Sequence, residues 1–171
     1  MISASGKILK GLRMKLPIQL RVLKETDILE CITLFQNTVH AVNAKDYSPT
    51  QLDAWAPKVK PEITPRWETL SENISYVAES DNQIVGFGDL TKQGYLDRLF
   101  VHKDFQGRGI AAAIVQKLEE RANELNLKEI TTAASITAKP FFERSGFVVM
   151  KEQQVEVHGV KLTNFVMRKL L

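Results

Sequence analysis

Residues Leu99–Leu118 read Leu-Phe-Val-His-Lys-Asp-Phe-Gln-Gly-Arg-Gly-Ile-Ala-Ala-Ala-Ile-Val-Gln-Lys-Leu. Gly107 and Gly109 flank Arg108, between an apolar run and a stretch of helical periodicity. The pattern is that of a strand, a tight glycine turn and an amphipathic helix that opens on the turn. Such a helix start presents main-chain N–H groups without intrahelical partners, at the positive end of the helix dipole. A phosphate fits there, and Arg108 adds a cation inside the turn. Glycine is needed because a Cβ would block the phosphate or forbid a positive φ. The chemistry indicated is recognition of a phosphorylated ligand. The turn lacks both the third glycine of a dinucleotide-binding motif and the Gly-Lys-Ser/Thr of a nucleotide triphosphatase.

Acid–base chemistry has two candidates on the preceding strand. Tyr95 and Asp97 share a strand face by two-residue alternation. Asp97 is either a general base or a partner of Arg98 or Arg108. The three histidines, His40, His102 and His158, form no Ser–His–Asp grouping and no metal-ligand spacing, so no metal is expected. Cys31, the single cysteine, excludes an internal disulfide and a cysteine-based zinc cluster. Its apolar surroundings, Ile28 to Phe35, read as a buried helical thiol and not as a nucleophile.

Gln106-Gly107-Arg108-Gly109-Ile110-Ala111 resembles the Gln/Arg-x-x-Gly-x-Gly/Ala signature of the GNAT superfamily of N-acetyltransferases. Downstream, Ala138-Lys139-Pro140-Phe141-Phe142-Glu143-Arg144-Ser145-Gly146-Phe147 resembles that family's Ala-x-x-Phe-Tyr-x-x-x-Gly-Phe segment. The resemblance runs from Ile18 to Arg168, and the stretch Tyr-Ser-Pro…Ala-Trp-Ala is similar to a YafP-like bacterial subgroup. It implies a GNAT fold, an α/β domain whose mixed, mostly antiparallel central sheet of about seven strands is flanked by about four helices. A splayed strand pair, here Tyr95–Val101 and Glu129–Ser135, would hold acetyl-CoA as co-substrate.

By that resemblance, the backbone of Leu99, Phe100 and Val101 would pair with the pantetheine arm as an added strand. Gln106, Gly107, Arg108, Gly109, Ile110, Ala111 and Ala112 would hold the pyrophosphate. Asp97 matches the base position of several family members. Ser135 stands where the family often has a cofactor-touching asparagine. Phe142 departs from the usual tyrosine, which would protonate the leaving thiolate. The implied reaction is direct attack of a primary amine on a thioester, with no acetyl-enzyme. An amine of pKa near ~10.4 is almost fully protonated at neutral pH, so a base or a water chain is useful. Acceptor choice would fall to the segment between the first two strands. There His40, Tyr47 and Trp55 either wall a substrate pocket or pack α-helices onto the sheet.

The elements that must position these groups follow from periodicity. Strands are expected at Ile18–Leu23, Ile74–Glu79, Gln83–Thr91, Tyr95–Val101, Glu129–Ser135, Gly146–Val157 and Val160–Met167, the last two turning at His158-Gly159. Helices are expected after Thr26 or Asp27 as cap, after Ser48-Pro49, after Gly109 and over Thr137–Arg144. Trp67 and Leu70 suggest one more short helix.

At 171 residues the chain suits one domain, since domains commonly hold ~100–200 residues. Residues 17–171 are read as a single N-acetyltransferase domain. Residues 1–16, basic and without an acid, are read as a disordered extension; a targeting or surface-binding helix, or a start at Met14, stays open. Apolar residues at 44% and charged residues at 25% are ordinary for a soluble globular protein, expected in the cytoplasm. No apolar run approaches the ~20 residues that span a membrane. A net charge of +3 is too small to argue for nucleic acid as the main partner. Small-molecule or protein amines are the expected substrates, and a homodimer is left open. Acetylation of an aminoacyl-tRNA lacks the basic stripe it would need. A non-catalytic acyl-CoA-binding sensor or partner module is the alternative that Phe142 favours.

Overall fold

The computed structural model describes residues 17–171; the reading of residues 1–16 lies outside them. Seven strands form: β1 (Gln19–Val22), β2 (Ile74–Ser80), β3 (Gln83–Leu90), β4 (Tyr95–Val101), β5 (Glu129–Ser135), β6 (Val148–Val157) and β7 (Val160–Leu170). Five helices accompany them: α1 (Ile28–Val42), α2 (Pro49–Trp55), α3 (Pro65–Glu72), α4 (Ile110–Glu124) and α5 (Lys139–Arg144). Helix α3 is the further short helix that Trp67 and Leu70 suggest; its Leu70 is buried and its Pro65 takes a tolerated first-turn position. Among the described residues no helix is long and apolar enough to cross a membrane.

Local chemistry sets the ends of the elements. Ser48 caps α2 reciprocally with Gln51: Ser48 Oγ accepts from the Gln51 N–H at 3.2 Å, and Gln51 Oε1 accepts from the Ser48 N–H at 2.9 Å. The cap expected for α1 is made differently. Asp27 turns back to accept the Lys24 N–H at 2.7 Å and pairs with Arg21 at 2.7 and 3.0 Å, so no side chain bonds the α1 start. His158 and Gly159 both take positive φ, 47° and 77°, as a two-residue hairpin turn between β6 and β7 requires.

The sheet order is β1-β2-β3-β4-β5-β7-β6. Every neighbouring pair is antiparallel except β4–β5. That parallel pair meets only at Tyr95–Thr131 and Leu96–Thr132. The cause lies on the other side of β4. Across β3, Asp89 faces Arg98 but Leu90 faces Leu96, so Asp97 has no partner. An extra residue of this kind bends and twists its strand. Past Leu96, β4 therefore leans away from β5, and a gap opens between them.

Helix α4 covers one face of the sheet. It buries Ile110, Ile114, Val115, Leu118 and Ala122 against residues including Val85, Leu96, Ile130 and Met167. A fully buried side chain of this size stabilises by roughly 1.5–3 kcal/mol. Gly86 and Gly88 make the seat possible, because a Cβ at either would lie within 2.8 and 2.9 Å of Ile110 and Ile114. Helices α1 and α3 pack on the opposite face around Ile32, Leu70, Val77 and Phe87. Helix α2 packs beside them against Leu162 of β7.

The bulge is anchored by a buried ion pair. Arg98 Nε and Nη2 donate to Asp89 Oδ1 and Oδ2 at 2.9 and 2.8 Å. Arg98 Nη1 donates to the Arg66 carbonyl at 2.8 Å, and Nη2 to Thr69 Oγ1 at 2.7 Å. Asn73 Nδ2 donates to Asp89 Oδ2 at 2.8 Å. Asp89 is fully buried and Arg98 nearly so. The pair thus ties β3, β4 and α3 together at one point. Arg98→Met strands the Asp89 carboxylate and is expected to lower unfolding free energy by about 3–5 kcal/mol. The double variant Asp89→Leu/Arg98→Met should lose less, as measured by urea denaturation of both proteins.

Candidate active site

The gap between β4 and β5 is lined by main chain. The His102 N–H donates to the Val85 carbonyl at 2.8 Å. By antiparallel alternation, Phe100 bonds β3 as well, and the main-chain groups of Leu99 and Val101 face the gap. The Val101 carbonyl is already engaged: it accepts from Thr38 Oγ1 at 3.0 Å and Gln106 Nε2 at 2.6 Å. Gln106 is therefore a brace that closes the turn onto the strand end, and Thr38 holds α1 to the same carbonyl.

At the end of the gap lies the glycine turn. Gly107 and Gly109 take φ of 70° and 78°, and a Cβ at either would meet nothing within 4 Å. Both glycines thus face open space, not neighbouring protein. Gly109 is the N-cap of α4, with no side-chain cap and no acid in the first turn. The N–H groups of Ile110, Ala111 and Ala112 are left to an external acceptor, in the positive field of a helix of 15 residues. Arg108 stacks on Phe105, 4.5 Å from the ring centroid, and donates to the Asp104 carbonyl at 3.2 Å. The arrangement suits an anion held by main chain first and by the Arg108 charge second.

Where β4 and β5 part, four polar side chains gather: Asp97, Arg66, Arg98 and Tyr95. Asp97 accepts from Arg66 Nη1 at 2.5 Å and Nη2 at 2.9 Å, and Arg98 Nη2 lies 3.4 Å behind it. Burial pushes the Asp97 carboxyl up, but the Arg66 hydrogen bonds and the two guanidinium charges reverse this and hold it below the usual carboxylate range. The ionised pair therefore stabilises the fold at neutral pH, and that contribution fades as acid protonates the carboxyl. Burial and then the Asp97 charge push the Tyr95 phenol up, so it stays protonated at neutral pH. Asp97 pairs with Arg66 and Arg98, whereas Arg108 is turned elsewhere. Arg66 escaped the reading of the sequence. Its one signal was a cation in the first turn of a helix, where the dipole disfavours it.

The remaining residues singled out in the sequence divide by place. Tyr47 is buried; its hydroxyl donates to the Thr163 carbonyl at 2.6 Å and accepts from the Ile136 N–H at 2.9 Å. His40 Nε2 meets the Ala56 carbonyl at 2.6 Å. Trp55 stacks edge-on to Tyr47 at 5.5 Å and lies 6.3 Å from Phe100. These three join α1, α2 and the β5–α5 turn; Tyr47 is buried, and His40 and Trp55 are each half-buried. Ser135 Oγ, at the end of β5, accepts the Ala138 N–H at 3.0 Å. Phe142 is buried edge-on between Phe141 and Phe147, at 5.2 and 5.0 Å. Cys31 is fully buried, and burial pushes its thiol well up. Among the described residues no group of three or more His, Cys, Asp or Glu side chains could hold a metal ion.

This geometry has relatives. The family model described as "Acetyltransferase (GNAT) domain" matches residues 43–169. The chain is 39% identical over 152 residues to the "Uncharacterized N-acetyltransferase YafP" of Escherichia coli (strain K12), spanning 88% of this chain and 95% of that protein. Among solved structures it is similar to a GCN5-related N-acetyltransferase from Rhodopseudomonas palustris, with a TM-score of 0.84 and 29% identity over 90% of this chain and 95% of that one. The PaiA N-acetyltransferase of Thermoplasma acidophilum, solved in complex with coenzyme A, shares the fold at a TM-score of 0.71 and 17% identity, covering 91% and 99% of the two chains. A splayed parallel pair, a glycine turn opening a helix and matches that run nearly end to end lead to one conclusion: the chain belongs to the GNAT family of acetyltransferases.

Proposed function

We propose that this protein moves an acetyl group from acetyl-CoA to a primary amine by direct attack on the thioester. The observation that carries the reading is the gap that the Asp97 bulge opens between β4 and β5, which runs onto the open cradle of Gly107 and Gly109. A cradle that any Cβ would fill fits a pyrophosphate. The main chain of Leu99 and Val101 fits an extended amide-bearing arm, as an added strand would pair. Acetyl-CoA supplies the activated acyl group. The protein supplies position, a charged environment and exclusion of competing nucleophiles.

In the transfer, the amine nitrogen bonds to the acyl carbon, the C–S bond breaks, and the sulfur leaves with the electron pair. One proton must leave the amine and one must reach the sulfur. Asp97 lies where the amine would approach, on the acceptor side of the gap. Held ionised by Arg66, it is a weak base, so its part is to hold and orient the ammonium while water removes the proton. Phe142 has no proton to give, and water supplies the sulfur. Cys31 is buried and protonated, which leaves direct transfer and no acetyl-enzyme. The second reading, a non-catalytic acyl-CoA sensor, is favoured by Phe142 alone. Release of free coenzyme A in the presence of amines separates the two.

Gly109→Val puts a branched side chain into the cradle at a positive φ and should weaken acetyl-CoA binding more than tenfold by calorimetry. Gly107→Ala, with a smaller group, should weaken it less. Unchanged affinity in variants with native circular dichroism would place the phosphates elsewhere. Because Asp97 is ionised well below neutral pH, the rise of kcat/KM between pH 6 and 9 should report the amine and not Asp97. Asp97→Asn should then lower kcat/KM about tenfold, ~1.4 kcal/mol of barrier, without moving the midpoint of that rise. A shifted midpoint would make Asp97 the base. Phe142→Tyr buries a hydroxyl among Phe141 and Phe147 and should cost about 1–3 kcal/mol in urea denaturation. Single-turnover transfer should not increase; a tenfold gain would show that proton delivery limits the rate.

A further inference from the structure

The acceptor end of the gap holds two opposite charges side by side. Arg66 Nη1 and Nη2 are committed to Asp97, but its Nε–H makes no bond among the described residues, and the Arg66 side chain is 60% exposed against 12% for Asp97. Arg98, directly behind, has its donors committed to Asp89, Thr69 and the Arg66 carbonyl. Arg66 is thus the cation at this end with a donor still to offer. Its backbone is fixed: the Arg66 carbonyl accepts from Arg98 Nη1 at 2.8 Å and from Thr69 Oγ1 at 2.8 Å. The buried Asp89–Arg98 network therefore sets where both members of the exposed pair stand.

Position adds to charge. Arg66 lies in the first turn of α3, at the positive end of the helix dipole. A cation there is disfavoured until anions neutralise it. Asp97 supplies one negative charge to a guanidinium that also feels a helix terminus, and a second anion would be welcome. Trp67 follows Arg66 in α3 with the Arg98 guanidinium 5.4 Å from its ring centroid, and Phe35, half-buried like Trp67 and Phe100, packs edge-on against both at 5.2 and 5.0 Å.

We propose that the acceptor is a free α-amino acid, whose ammonium is held by Asp97 and whose carboxylate is held by Arg66. In an α-amino acid the two charges are two bonds apart, in the same side-by-side relation as the protein's pair. Docked head to tail against Asp97 and Arg66, each of the four charges faces an opposite one. The acceptor's side chain then lies over Phe35, Trp67 and Phe100, which suits an uncharged group. Arg66 is the specificity-determining residue, and charge-assisted bonds to its guanidinium give the carboxylate its grip. The inference rests on the acetyltransferase reading: the bond formed is still N–C(acyl), the bond broken C–S, and of the two protons the ammonium loses, one passes to water and one is balanced by the proton that water gives the departing sulfur.

The test is release of coenzyme A by the full-length protein with acetyl-CoA and matched pairs of acceptors, each α-amino acid beside its decarboxylated amine; L-leucine beside 3-methylbutylamine is one such pair. For at least one pair the amino acid should be preferred tenfold or more in kcat/KM. Arg66→Gln should collapse that preference at least tenfold, chiefly through the amino acid's KM, and Arg66→Lys should retain part of it. Because the Arg66 carbonyl that serves the buried network is unchanged, both variants should stay folded with native circular dichroism, Arg66→Gln losing some thermal stability with the Asp97 ion pair and Arg66→Lys less. Transfer to amines with no preference for any amino acid, or a preference untouched by Arg66→Gln, would overturn the proposal and leave the acetyltransferase reading standing. Bound acetyl-CoA with no release for any acceptor would overturn both.

Discussion

The Arg98–Asp89 ion pair sits at the point where the sheet changes character. Two charges buried beneath α3 are tolerable only because every polar atom in reach finds a partner: Asn73 and Arg98 on Asp89, and Thr69 and the Arg66 carbonyl on Arg98. Such a pair contributes position more than net stability. It clamps Arg98 opposite Asp89, and the residue left over, Asp97, becomes the bulge. Once β4 bends there, its parallel pairing with β5 cannot continue beyond Leu96. The gap is the direct geometric result.

Binding surface and charged pair are therefore products of one distortion. The bend frees the main-chain groups of Leu99 and the Val101 N–H from pairing with β5, while the Val101 carbonyl is taken by Thr38 and Gln106. It also turns Asp97 toward α3, where Arg66 meets it. In the proposed function an acyl donor recognised by backbone needs little from side chains, which accords with a cradle of Gly107, Gly109 and strand main chain. The acceptor half is the reverse, since an amine must be recognised by charge and shape.

A second constraint keeps the acceptor half rigid. Tyr47 bridges the Thr163 carbonyl and the Ile136 N–H, His158 Nδ1 meets the Ala54 carbonyl at 2.8 Å, and Gln51 Nε2 donates to the Lys161 carbonyl at 3.0 Å. These bonds fasten α2 and its preceding loop to the β6–β7 hairpin. The segment between β1 and β2 is thereby part of the scaffold. Phe142 belongs to the same logic, because its ring fills an apolar slot between Phe141 and Phe147 where a hydroxyl would lack a partner.

The sequence by itself determined the strands, the long helix and the glycine turn, because each depends on local rules: alternation, helical spacing and the φ that glycine permits. It also indicated an open, uncapped helix start at Gly107–Ala112, since that geometry resides in consecutive main-chain groups. The third helix on the acceptor side was only hinted at by Trp67 and Leu70, and the α1 cap went to a distant competitor, Arg21, for the Asp27 carboxylate. Tertiary structure alone decided the partner of Asp97. Residues 66 and 97 lie 31 apart in the chain, and no periodicity links a helix start to a strand bulge. Likewise, Thr38 joins Gln106 on one carbonyl of β4 only after α1 has packed. Long-range pairing of charges depends on which surfaces the core brings together, and that is settled by burial of the whole sheet, not by any stretch of sequence.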